Sequence, residues 1–182
     1  IFQEIKNNLI MKKLLLLSLT ILSITINAQS VKLTFPTEQN PKLTGQYIVI
    51  ASKGTAQENY QKVIEYINAT YENPSKVIKS DLAGKYVRME AYTSTLYRNI
   101  GFDLDGTYQL EFNFRQDKIK ITYISSNNGT NDLNFTYSDL YKKNGKPKKQ
   151  IIKYNTAVVD GLNIVIGEIA TELKKEKTED DW

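Results

Sequence analysis

The chain has no cysteine and no histidine among its 182 residues. Without thiols it forms no disulfide, offers no thiolate nucleophile and carries no lipid-bearing cysteine at a processing site. The missing imidazoles exclude histidine-based triads and the usual His/Cys zinc sites. Carboxylates and lysines are present, but not paired at a spacing recognisable as an active site, so a non-enzymatic protein with no cofactor is expected. Internal repeats and low-complexity tracts are also lacking. The longest apolar run, Leu14 to Ile26, falls short of the roughly 20 residues that a membrane-spanning helix needs.

That run has another meaning. Met11, Lys12 and Lys13 precede it and Asn27-Ala28 follows it, the basic, apolar and small-residue order of a secretory signal peptide. Cleavage after Ala28 is the expected outcome, although Ile26 departs from the small residue preferred at the third position before the cut. Residues 1–10 lie upstream of that Met and read as an artefact of annotation. Removing residues 1–28 takes away Lys6, Lys12, Lys13 and Glu4; basic residues fall from 24 to 21 and acidic ones from 20 to 19, leaving a net charge of +2. Such a balance is no argument for nucleic acid. The expected protein is exported, periplasmic or secreted, with no membrane span after cleavage. Its domains read as an irregular lead-in over 29–44, one α+β domain over 45–176 and a charged tail over 177–182 that includes Trp182.

The clearest pattern in the mature chain is Tyr108 to Ile124. Tyr108, Leu110, Phe112 and Phe114 alternate with Gln109, Glu111, Asn113 and Arg115, and Ile119, Ile121 and Tyr123 resume the alternation after Gln116-Asp117. Period two marks strands buried on one side. For both apolar sets to share a face the loop must hold an even number of residues. A two-residue loop at Gln116-Asp117 places Phe114 opposite Ile119, Phe112 opposite Ile121 and Leu110 opposite Tyr123.

The apolar face needs a cover, and two helices are expected to supply it. Gln46 to Ser52 reads as a first strand ended by Gly54. Thr55 and Glu58 then have capping-box spacing, and Tyr60, Val63, Ile64, Ile67 and Tyr71 form a helical stripe stopped by Asn73-Pro74. Lys76 to Ser80 is a short strand candidate, Asp81 to Gly84 a turn, and Lys85 to Arg98 a longer strand with Val87, Met89 and Ala91 on one face. Asn99 to Gly106 and Ser125 to Asp132 read as loops. Over Leu133 to Tyr141 the alternation of Leu133, Phe135 and Tyr137 suits a strand, whereas Ser138 to Tyr141 suits a helical turn. The second helix is expected from an N-cap at Thr156 through Leu162, Val165, Ile166, Ile169 and Leu173 to Lys175, with Gly161 and Gly167 either weakening it or allowing close packing. The order β-α-β-β-β-β-α describes an α+β fold with two helices on one face of an antiparallel sheet.

One stretch also resembles a known family. Tyr60-x-x-Val63-x-x-Tyr66-Ile67-Asn68-x-x-Tyr71-x-Asn73-Pro74-x-x-Val77-Ile78, followed by Tyr108-x-Leu110-x-Phe112 and Asp117-Lys118-x-Lys120, is similar to a domain family of unknown function with a TBP-like fold, found in exported Bacteroidetes proteins. The likeness covers about Tyr47 to Ile124. At the hairpin turn the family tends toward Asp-Gly where this chain has Asp117-Lys118. The resemblance implies a fold and supplies no catalytic residue.

Candidate sites are few. Asp103-x-Asp105-Gly106 invites a calcium reading, but in an EF-hand frame the first position is Gly101 and the twelfth Phe112, so two essential ligands are missing. A polar loop entering the strand is the preferred reading, and no metal is expected. Lys142, Lys143, Lys146, Lys148 and Lys149 form a basic stretch that suits an anionic surface; with Gly145, Pro147 and no interleaved aromatic it reads better as a solvated linker. Tyr86 and Tyr92 fall opposite the Val87 face and are expected on an open sheet surface. The Asn-x-Ser/Thr triplets at Asn68, Asn128 and Asn134 read as coincidence in a bacterial chain. The expected function is an exported, non-enzymatic binding or interaction module of the cell envelope, with an envelope protein or glycan as partner. Its candidate face is Gln109, Glu111, Asn113, Arg115, Lys118, Lys120 and Thr122. The alternative is a carrier of a small apolar ligand held between the sheet and the C-terminal helix, with Gly161 and Gly167 as the wall.

Overall fold

The computed structural model of the protein describes residues 32–99 and 102–175. The expected signal peptide, the upstream residues and Trp182 lie outside the described residues. The elements in chain order are β1 (Tyr47–Ala51), α1 (Ala56–Thr70), a short α2 (Pro74–Val77), β2 (Ile78–Leu82), β3 (Tyr86–Asn99), β4 (Phe102–Arg115), β5 (Lys118–Asn127), a short α3 (Tyr137–Leu140) and α4 (Lys149–Lys174). The strands form one antiparallel sheet in the order β1-β5-β4-β3-β2.

The central hairpin has the anticipated register: Phe114 pairs with Ile119, Phe112 with Ile121 and Leu110 with Tyr123. Its turn is made possible by Asp117, which holds a left-handed φ of 58°, a region that Asp and Asn tolerate better than other non-glycine residues. The turn is also clasped from outside. Asp117 N–H donates to the Gly54 carbonyl at 2.8 Å, Ser52 N–H donates to the Asp117 carbonyl at 3.1 Å, and Gly54 N–H donates to Asp117 Oδ1 at 3.2 Å.

Helix α1 begins where its chemistry says it should. Thr55 Oγ1 accepts from Glu58 N–H and the Glu58 carboxylate accepts from Thr55 N–H at 2.6 Å, a complete capping box. The same bonds hold the Glu58 carboxyl below its ordinary pKa. One turn in, Asn59 is fully buried, and a buried amide must be satisfied to be tolerated. Its Oδ1 accepts from Ser52 Oγ at 2.7 Å and its Nδ2 donates to the Arg115 carbonyl at 2.9 Å. The helix start, the end of β1 and the end of β4 are thereby joined at one side chain.

Val63 and Ile67 of α1, together with Val158, Leu162, Val165, Ile166, Ile169 and Leu173 of α4, lie buried against Val87, Met89, Leu110, Phe112, Ile119, Ile121 and Tyr123 of the sheet. Helix α1 lies chiefly over β4, and α4 chiefly over β3. Buried Tyr108 shares a hydroxyl contact of 3.0 Å with Tyr71, and desolvation pushes its phenol up to about 12. The lead-in joins the same core through Leu33 and Leu43. Leu33 is strapped to α4 in both directions, its N–H donating to Asn163 Oδ1 at 2.7 Å and its carbonyl accepting from Asn163 Nδ2 at 3.0 Å.

Several boundaries differ from the sequence reading. Asn99 to Gly106 is strand on both sides of residues 100–101: β3 runs to Asn99 and β4 starts at Phe102. Asp and Gly are rare in strands, but pairing across the hairpin overrides that tendency here. Between Thr93–Gly106 and Tyr97–Leu104 the register shifts, and Leu96 of the extra segment is fully buried. Gly106 makes room for it, since a Cβ there would sit 2.6 Å from Leu96 Cδ2 and collide with the Asn127 carbonyl. Asp81 and Leu82 belong to β2 rather than to a turn, and Ser125 to Asn127 extend β5. Helix α4 starts at Lys149, seven residues before Thr156. Thr156 is no N-cap; mid-helix, its hydroxyl donates to the Ile152 carbonyl at 2.9 Å, the back-bond by which a threonine is satisfied inside a helix. Over residues 133–141 no strand forms: Leu133 and Phe135 are buried in irregular chain between single bridges at Asp132 and Thr136, and Thr136 with Asp139 caps the short α3.

Phe112→Ala should cost about 3 to 5 kcal/mol, because a fully buried ring is replaced by a cavity between the sheet and its helices. Asn59→Ala should cost about 1 to 3 kcal/mol by removing the donor to the Arg115 carbonyl and the acceptor of the Ser52 hydroxyl proton, which leaves Ser52 only the bond it accepts from Lys62. Denaturant unfolding of each variant checks both figures, and an unchanged midpoint for Phe112→Ala would contradict the face assignment.

Candidate functional site

Covering one side of the sheet leaves the other side open, and period two decides who stands on it. The register pairs Arg115 with Lys118, Asn113 with Lys120 and Glu111 with Thr122, while Gln109 meets Ser125 beyond a bulge. The candidate residues Gln109, Glu111, Asn113, Arg115, Lys118, Lys120 and Thr122 therefore share one face. Strand β3 adds Tyr86, Arg88, Glu90 and Tyr92, the partners of Asn113, Glu111, Gln109 and Thr107. Strand β1 adds Tyr47, Val49 and Ala51, the partners of Thr122, Lys120 and Lys118. Tyr86 and Tyr92 stand where the alternation placed them, and Tyr92 is 59% exposed. Arg88, Glu90 and Tyr47 were missed, though the parity of Val87 and Met89 contained the signal for the first two.

The polar side chains of this face are organised into rows that run across the strands. Lys79 reaches Glu90 at 2.9 Å, and Glu90 in turn accepts from Gln109 Nε2 at 2.6 Å. Beside it, Arg88 Nη2 donates to Glu111 Oε2 at 2.6 Å and Asn113 Nδ2 donates to Glu111 Oε1 at 3.0 Å. The bonds from Lys79 and then Gln109 hold the Glu90 carboxyl below its ordinary range, and those from Asn113 and then Arg88 do the same for Glu111. At the far end of β4, Tyr92 donates to Asp105 at 2.7 Å, which raises the phenol pKa. At the β1 side, the Lys120 ammonium lies 4.2 Å from the centre of the Tyr47 ring, within cation–π range. Among the described residues Arg115, Lys118 and Lys120 form no ion pair, although Lys120 helps from a distance to lower the Glu111 pKa. The face thus carries ion-paired charge at its middle and an excess of positive side chains outside any ion pair toward the β4–β5 turn end.

The remaining candidates are dispersed. Asp105 stands on β4 bonded to Tyr92, and Asp103 pairs in register with Arg98. No group of three or more metal-ligating side chains occurs among the described residues. Lys142, Lys143 and Lys146 are exposed before α4, Lys148 Nζ donates to the Asp139 carbonyl at 3.0 Å, and Lys149 opens the helix. Asn68 is exposed, whereas Asn128 and Asn134 use their side-chain carbonyls internally, Asn134 accepting from Tyr123 Oη at 2.8 Å. Gly161 is buried on α4, but Gly167 faces open space and lines no wall. Two surface concavities, of about 420 and 350 Å³, lie along residues 32–47 and 125–134. Neither lies between α4 and the sheet, where Leu110, Phe112, Leu162 and Ile166 occupy the space. No helix among the described residues is long and apolar enough to cross a membrane.

Because Glu90 and Glu111 have depressed pKa values in the folded state, their contribution to stability is present above the ordinary value of 4.5 and is lost as pH falls through the lower folded value. Stability should therefore decline on acidification below about pH 4.5, and the Glu90→Gln/Glu111→Gln double variant should decline less steeply over that window. Chemical denaturation at a series of pH values reads the difference; superimposable profiles would mean the two rows add nothing.

No family model matches the chain, and no curated protein matches it. Two solved structures are similar. One is a TBP-like protein from Parabacteroides distasonis, 12% identical, with 78% of this chain and 98% of that chain covered at a TM-score of 0.51. The other is a DUF4468 family protein from Bacteroides ovatus, 9% identical, with 74% and 88% covered at a TM-score of 0.49. At 12% identity the likeness to the Parabacteroides distasonis protein concerns the fold alone, and it is the fold that the motif run from Tyr60 to Lys120 implied. The chain is an α+β domain of the TBP-like kind.

Proposed function

We propose that this protein is an exported, non-enzymatic binding module of the cell envelope and that it binds through the open face of its sheet. The observation that carries the proposal is the contrast between the two faces. One is buried under α1 and α4; the other bears hydrogen-bonded polar rows, flanked by Tyr92 and Tyr47 at 59% and 43% exposure, with no cover among the described residues. Pre-ordered side chains lose little freedom on binding, which favours a recognition surface over a merely solvated one. Export is supported by the signal-peptide pattern at residues 11–28, and the envelope is where such a module would meet a protein or glycan. A carrier role has less support, because the layer between sheet and helix is filled and Gly167 points away from it.

The domain, immobilised and exposed to envelope extract, should retain a partner that an Asn113→Arg/Thr122→Arg variant of equal thermal stability does not. Equal retention by both would move the site off the face. Mass spectrometry of the protein recovered from the producing cell should find a mature chain beginning at Gln29; a chain that keeps residues 11–28 would remove the envelope from the proposal.

A further inference from the structure

The sheet order leaves two edges, β1 and β2, and they are protected very differently. An edge strand exposes a row of unpaired N–H and C=O groups that another strand can take up, and proteins block this with charges, bulges and short strands. Strand β2 has such devices: a register break between Ile78 and Ser80, Lys79 drawn to Glu90, and Asp81 held by the Tyr60 hydroxyl at 2.7 Å. Strand β1 is Tyr47-Ile48-Val49-Ile50-Ala51, uncharged and in unbroken register with β5. The bonds at its two ends, Tyr123 N–H to the Gln46 carbonyl at 2.9 Å and Ser52 N–H to the Asp117 carbonyl at 3.1 Å, show that the even positions bond toward β5. Antiparallel geometry alternates, so Tyr47, Val49 and Ala51 direct their N–H and C=O groups away from the sheet. No described residue bonds them.

The charged residues directly across from this edge strand are both lysines. Lys118 is the cross-strand partner of Ala51 and Lys120 of Val49. Lys120 already reaches across to β1, its ammonium lying over the Tyr47 ring at 4.2 Å, and the small Ala51 side chain leaves the way open for Lys118. Neither lysine forms an ion pair among the described residues, Lys120 acting on Glu111 only from a distance. A second copy pairing through its own β1 would bring two such lysine pairs toward one another, so like charge disfavours that occupant.

We infer that the free edge of β1 accepts an extended acidic segment of another protein, which adds to the sheet as a strand with its carboxylates on the open face beside Lys118 and Lys120. The inference rests on the binding reading of that face and names the class of partner. Main-chain hydrogen bonds to Tyr47, Val49 and Ala51 supply the docking, and the lysines select for acidic side chains.

The test uses a blocked, fluorescent peptide of about seven residues alternating glutamate and valine, long enough to match the edge, followed by anisotropy with the whole mature chain. Three changes should each weaken binding about tenfold or more: N-methylation of the peptide at the alternate positions that face the protein, Lys118→Glu/Lys120→Glu, and Val49→Pro. The proline removes only an outward N–H, a position at which edge strands tolerate it, and a thermal melt checks that the variant folds. The N-methylated peptide tests the edge with an unaltered protein. Absence of binding overturns the inference, as does equal binding of a lysine–valine peptide. Binding that ignores N-methylation places acidic ligands on the face rather than the edge, which overturns the edge and leaves the face reading standing. Dimers of the free protein in sedimentation that exclude the peptide would assign the edge to a second copy. The Asn113→Arg/Thr122→Arg capture result reports on the face independently of all these outcomes.

Discussion

Two residues, Gln116 and Asp117, set the parity of the whole sheet. A turn of one residue more or fewer would rotate every side chain of β5 to the opposite face relative to β4, sending Ile119, Ile121 and Tyr123 into solvent and Lys118 and Lys120 into the core. Yet Gln-Asp is not among the dipeptides that make tight hairpin turns unaided. Asp117 adopts its positive φ while bonded to Ser52 and Gly54. Those residues are positioned by β1 and by the capped start of α1, and Asn59 closes the circle by holding Ser52 and the Arg115 carbonyl. Turn, strand and helix each depend on the other two.

From that parity the division of labour between the faces follows. The apolar face binds α1 and α4 so completely that its largest residues, Tyr123 and Phe112, are fully buried. The polar face is free to carry charge, and it links that charge across β2, β3 and β4, with Asn113 joining Glu111 along β4. The rows neutralise the centre, and the excess positive charge collects at the turn end beside β1. The proposed recognition rests on that combination: a face that is ordered, open and charged at one end, next to the β1 edge.

Much of the fold was legible because its signals are local. The alternation from Tyr108 to Tyr123, the Thr55/Glu58 box and the stripe from Leu162 to Leu173 each need only a few neighbouring residues to be interpreted, and each matches the structure. The failures share a cause. Asn99 to Gly106 contains residues that disfavour strands, but β4 extends through it because β3 lies alongside and Leu96 fills the space that Gly106 leaves. Thr156 has the chemistry of an N-cap, yet the helix had already begun at Lys149, and Ile152 and Tyr154, packed against the core, extend the apolar stripe backward past it. Of the candidate site, Gln109 through Thr122 could be named from alternation. Lys79, Arg88 and Tyr47 could not be joined to it, because their contacts to Glu90, Glu111 and Lys120 span residues remote in the chain.

The sequence by itself determined which residues alternate, which recur at helical spacing and where the first helix begins, since those properties follow from backbone period and capping chemistry within a few residues. The tertiary structure decided the strand order, the register break that buries Leu96, the pairing of charges on the open face and the exposure of the β1 edge. The physical reason is that cross-strand neighbours are chosen by the pairing of whole strands, and an edge is defined by the strand that is absent beside it.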